Sequence, residues 1–129
     1  MDIDISFDGQ LIYASLKLVY KGTSKVINKL VVDTGAANTL IALDKVEDIK
    51  LSYEDEDFIT TFYGVSGPGD SFEKILDYVE FGSKRFSGYK VDFGSFSGGY
   101  DINGLIGLDL LKDAGVTIDL QGMRIIEPE

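Results

Sequence analysis

The sequence predicts an all-β fold with one short C-terminal helix. Fifteen glycines stand against two prolines, and Val, Ile, Tyr, Phe and Thr are plentiful. That mix favours short strands joined by tight turns. Apolar residues come in short runs broken by turn formers, and only Leu105 to Ala114 reads as a helix.

From Gln10 to Tyr20 the apolar residues partly alternate, as in a half-buried strand. Gly22-Thr23-Ser24 reads as a turn and Lys25 to Val32 as a second strand. Its end, Leu30-Val31-Val32, has no polar alternation, which implies burial on both faces. Leu40 to Leu43 is a short apolar run, and the charged stretch Asp44 to Asp57 reads as surface. Phe58 to Val65 and Phe72 to Phe81 flank Ser66-Gly67-Pro68-Gly69-Asp70, a hairpin signal with a Gly-rich tip. Phe86 to Phe93 is a further strand, and Ser95 to Asn103 a Gly-rich loop. In the helix, Asp109 suits the first turn and Gly115 the end. Val116 to Leu120 and Met123 to Ile126 form a last hairpin across Gln121-Gly122.

With 129 residues, 44% of them hydrophobic, the chain is sized for one domain with an ordinary core. A net charge of -10 argues against nucleic-acid binding, which needs surplus Lys and Arg. The absence of Cys and His removes thiol and Ser/His catalysis, disulfides and ordinary zinc sites, and fits a cytoplasmic setting. No apolar stretch is long enough to span a membrane, and Met1-Asp2-Ile3-Asp4 lacks the layout of a signal peptide. The run Glu54-Asp55-Glu56-Asp57 lacks the spacing of a calcium loop and reads as solvated.

Two segments carry chemistry. Asp33-Thr34-Gly35-Ala36 follows the apolar strand end. Alone it could be a capped turn, but a carboxylate ending a buried strand sits where its ionisation can be tuned. The second, Gly104-Leu105-Ile106-Gly107, leads into the helix; alone it could be a plain strand-to-helix turn. Together, in this order and with the Phe62 to Gly69 hairpin between them, they resemble the retropepsin family of aspartic proteases. The resemblance covers about Lys25 to Leu120. It implies a retropepsin-like acid protease half-barrel, with the Asp33 loop inside a psi-loop threaded by Leu105-Ile106-Gly107 and the hairpin as a flap.

The resemblance also implies the chemistry. Peptide hydrolysis by this route uses two carboxylates sharing one proton around a water. This chain has one Asp-Thr-Gly, since Asp92-Phe93-Gly94 lacks the hydroxyl residue. The second aspartate is therefore expected from a second copy across a two-fold axis. Asp33 is the expected catalyst. Thr34 would bond across the axis, and Gly35 would turn the loop and offer its carbonyl to substrate. Ala36 would floor the pocket, with Tyr63, Gly64 and Val65 in the flap over an extended peptide. No cofactor is implied. Where retroviral enzymes carry an Asp and an Arg that pair near the dimer interface, this chain has Ala37 and Leu108. Both charges are missing together, a consistent swap of an ion pair for an apolar one. The dimer sheet of the family uses both chain termini, and either end could contribute here. The alternative reading is a dimerisation or peptide-binding module of the same fold that has lost efficient catalysis.

Overall fold

The computed structural model describes residues 1–64, 67–95 and 101–129, the side chains of 61–68 excepted. Strands hold 53% of the chain and helices 11%, as an all-β fold requires. In chain order the strands are β1 (Asp2–Ile3), β2 (Ile5–Phe7), β3 (Ile12–Tyr20), β4 (Thr23–Val32), β5 (Leu40–Ala42), β6 (Ile59–Gly64), β7 (Gly67–Phe81), β8 (Lys84–Gly94) and β9 (Gly104–Ile106). Helix α1 (Leu108–Ala114) follows, then β10 (Thr117–Asp119) and β11 (Arg124–Ile126).

The large sheet runs β2-β3-β4-β9-β5-β8-β7-β6. It curls on itself because β3 also pairs β7, through Lys17↔Glu80, Leu18↔Val79 and Val19↔Tyr78. This closes β3, β4, β9, β5, β8 and β7 into a ring around a core that includes Leu16, Leu18, Leu30, Ile41, Leu76, Phe93, Ile106 and Leu110. The family's psi arrangement lies at its centre. β4 and β5 are joined by residues 33–39 yet do not pair, because β9 lies between them, parallel to β4 and antiparallel to β5.

Several expectations shift in detail. The first turn is Lys21-Gly22, not Gly22 to Ser24; both residues have positive φ (48° and 82°), and β4 already begins at Thr23. Two positive-φ residues match the twist of a tight hairpin, and the Asp77 carboxylate accepts both N–H groups, at 3.0 and 2.8 Å. Leu105 and Ile106 are strand, not helix: α1 starts only at Leu108 and ends on Gly115, whose φ of 66° is the left-handed cap expected. The charged run after Leu43 is not all surface. It holds two short 3-10 turns, and Val46, Ile49 and Leu51 are buried. Pro68 and Asp70 belong to β7 rather than to a tip, since β6 and β7 pair regularly out to Gly64↔Gly67.

The chain ends meet. A small sheet of order β1-β11-β10 joins Asp2 to Ile126 and Thr117 to Ile126. The Arg124 guanidinium clamps Asp2 through two bonds of 2.7 and 2.9 Å. The buried Glu127 carboxylate accepts the Ser83 N–H and hydroxyl, both at 2.8 Å. Because β11 lies in the middle of this sheet, only β1 and β10 present outer edges.

Candidate active site

The site grows from the end of β4. A bulge at Asn28-Lys29, opposite the shift between Ala14 and Leu16, gives Lys29 a φ of 55°. Lys29 O then accepts the Asn103 N–H at 3.1 Å, and the Asn103 side-chain amide donates to Asn28 O at 2.8 Å. These bonds anchor the entry of β9. Gly104 follows with a φ of +145°, and any Cβ there would collide with the carbonyl oxygen of Leu40. Only glycine lets β9 slide between β4 and β5 at this point.

Val31 and Val32 pair Leu105 and Ile106, and the Asp33 N–H donates to Ile106 O at 2.9 Å. The chain then turns. Ala36 N–H donates to Asp33 O at 3.2 Å, and Gly35 N–H donates to Asp33 Oδ1 at 2.9 Å. The second bond fixes the direction of the Asp33 carboxyl. A Cβ at Gly35 would lie 3.2 Å from that same oxygen, so glycine keeps the turn compact. Asp33 is half-buried and Ala36 likewise, while Thr34, Gly35 and Ala37 are exposed. In the single chain, then, Asp33 is less enclosed than its strand implies, and the loop presents an open face beside it.

The far side of the loop is tied to α1. Leu108 N–H donates to Ala36 O at 2.7 Å and Asp109 N–H to Ala37 O at 3.3 Å. Gly107 approaches so closely that a Cβ would stand 2.6 Å from Asn38 O. Thr39 completes the tie. It is fully buried; its hydroxyl accepts the Gly107 N–H at 3.1 Å and donates to Asp109 Oδ1 at 2.8 Å. Asp109 thus has a second task besides its place in the first turn of α1. Thr39 escaped the sequence reading because its partners lie 68 and 70 residues away.

Of the expected site residues, Asp33, Thr34, Gly35 and Ala36 fall on one turn, threaded by β9 as the psi pattern requires. Tyr63 and Gly64 lie on β6, paired with Pro68 and Gly67. Their side chains, and Val65 altogether, lie outside the described residues. Beyond Ser71↔Gly94, where β8 ends, β6 and β7 continue as a two-stranded arm. No described hydrogen bond joins this arm to residues 33–39. Ala37 and Leu108, at the positions of the missing ion pair, lie on the loop and the helix start that the Leu108–Ala36 and Asp109–Ala37 backbone bonds join, with Leu108 49% exposed. Among the described residues no group of three or more acidic, His or Cys side chains could hold a metal, and no helix is long and apolar enough to cross a membrane.

Residues 17–110 match a family model described as aspartyl protease, of the retropepsin-like clan. No curated protein matches the chain.

Proposed function

The chain belongs to the aspartyl protease family, and from that premise we propose that it is a homodimeric endopeptidase in which Asp33 of each copy supplies half of one catalytic pair. The observation that carries this is the Asp33 turn. Its carboxyl is aimed by the Gly35 N–H, is half-buried, and lies on an open face with Thr34 and Gly35 exposed beside it. One Asp-Thr-Gly per chain makes half a site.

Across a two-fold axis the two carboxyl groups share a proton, because two like charges about 3 Å apart do not both ionise readily. The ionised one takes a proton from water, whose oxygen attacks the scissile carbonyl. The protonated one hydrogen-bonds that carbonyl and delivers its proton as the tetrahedral centre forms. Transfer of a proton to the amide nitrogen then breaks the C–N bond. Thr34 bonds across the axis, Gly35 offers its carbonyl to the peptide backbone, and Ala36 keeps the floor shallow. The β6–β7 arm, with Tyr63, Gly64 and Val65, closes over an extended peptide by strand addition. The whole chain acts as one domain, and the reaction needs no cofactor.

Leu108 and Ala37 favour contact between copies at the loop face, since an apolar pair replaces an ion pair there without leaving a lone charge. The test is cleavage of a peptide mixture by the purified protein. Asp33→Asn should abolish cleavage while the circular dichroism spectrum and dimer stay unchanged. Equal cleavage by that variant would refute the assignment. A dimeric wild type that binds peptides but cuts none would favour the binding module instead.

A further inference from the structure

Asp92 opens Asp92-Phe93-Gly94, the stretch that the proposed mechanism leaves unused. It lies on β8, 5% exposed, and pairs with Leu40. Its N–H donates to Thr39 O at 3.1 Å. A buried carboxyl normally collects hydrogen bonds. Oδ1 of Asp92 is buried and accepts none among the described residues.

Its charged surroundings do not make up for this. On β8 itself, Lys90 Nζ stands 3.7 Å from Oδ1, and it is nearer to Glu73 of β7, at 3.2 Å. Asp109 at the start of α1 and Glu73 both act on Asp92 with like charge. β5, the other strand in the ladder, contributes only Leu40, Ile41 and Ala42. One ammonium therefore faces three carboxylates. Burial, opposed by Lys90 and reinforced by Glu73 and Asp109, holds the Asp92 carboxyl above the ordinary aspartate range.

Asp92 and Asp109 flank Thr39, the first from the β ladder and the second through the hydroxyl bond. Thr39 ends the Asp33 loop. We propose that Asp92 is a positioning residue for that loop: when neutral it leaves the Thr39–Asp109 tie intact, and when charged it presses on Asp109 and slackens the tie. The effect on the loop follows from the fold alone, while its consequence for catalysis rests on the proposed function.

The folded chain binds this proton more tightly than the unfolded chain does. Asp92 therefore costs stability as pH rises from the ordinary aspartate range through its raised value. Three measurements on the intact protein test the proposal. The side-chain carboxyl carbon of Asp92 in wild type, followed by NMR, should titrate later than an ordinary aspartate. Asp92→Asn should melt increasingly above wild type as pH rises from 4 to 7, by about 4 °C for each tenfold difference in proton affinity. Amide exchange of Leu108 and Asp109 should be equal in the two proteins at pH 4, and about tenfold slower in Asp92→Asn at pH 7.

An ordinary titration midpoint, or a melting difference that does not change with pH, would overturn the proposal. So would a raised midpoint with equal exchange at pH 7, because the loop would then ignore the charge. In cleavage assays the alkaline limb of the pH profile should move to higher pH in Asp92→Asn, and an unmoved limb would remove the link to catalysis. A wild type that cleaves nothing would refute the proposed function, and the titration and exchange results would still decide the role of Asp92.

Discussion

Replacing Thr39 with Val keeps the volume and removes only the hydroxyl. Two bonds go with it: the Gly107 N–H at 3.1 Å and the Asp109 carboxylate at 2.8 Å. Gly107 is buried, so its N–H would be left without a partner, at a cost of about 1–3 kcal/mol. Asp109 is half-exposed and keeps the Leu110 N–H at 2.7 Å, so water makes good part of its loss, leaving about 1 kcal/mol. The sum is about 3 kcal/mol. Thr39→Ser keeps both bonds and loses one buried methyl, for about 1 kcal/mol. Urea unfolding at fixed protein concentration measures both, since dimer formation would make the midpoint depend on concentration. Val should cost about 1–3 kcal/mol more than Ser. If Val were equal to Ser or better, the hydroxyl would not be what holds the loop to α1, and the reasoning would fail.

Lys74 is 6% exposed and bridges Glu54 at 2.7 Å and Asp57 at 2.8 Å. Burial works to raise the Asp57 pKa, but bonds from Lys74 and the Glu54 N–H outweigh it and hold that carboxyl below its ordinary value. A depressed folded pKa contributes stability above the ordinary value that is lost as pH falls through it. Lys74→Met should therefore lower the urea midpoint at pH 7 and flatten the loss of stability between about pH 5 and pH 2; an unchanged acid slope would contradict this. Leu108→Glu places a charge on the half-exposed apolar residue at the helix start, next to the Asp33 loop. It should weaken self-association at least tenfold, about 1.4 kcal/mol, in sedimentation, with the fold of each copy intact. Undiminished association would move the copy-to-copy contact elsewhere.

What the sequence made legible is local or carried by glycine. Gly104 marks where β9 must pass close to β5, Gly107 marks where the chain passes close to the Asp33 loop, and both are close approaches that a Cβ would block. Gly115 ends α1 because it alone accepts the left-handed cap cheaply. The Asp33 turn was readable because an apolar strand end precedes it and its own N–H groups close it.

What was not legible depends on distant partners. Leu105 and Ile106 suit a helix as well as a strand, and only the empty slot between β4 and β5 decides. Val46 and Leu51 hide among charges because 3-10 turns, not a regular period, turn them inward. Asp57 belongs to an acidic run that looks solvated, yet the buried Lys74 draws it in. Asp2 finds Arg124 at the opposite end of the chain, and no local pattern announces that pairing. Asp92 lacks the hydroxyl residue that follows Asp33, so only its burial, which depends on strands distant in sequence, makes it a group to explain.

The central claim is that one active site needs two Asp33 side chains from two copies. Mixing wild type with Asp33→Asn at constant total concentration, after exchange of subunits, tests it directly. If mixed dimers are dead, cleavage follows the square of the wild-type fraction, and an equal mixture keeps about a quarter of the activity. Activity that falls in simple proportion, to about a half, would mean that each chain carries a complete site and would contradict the claim.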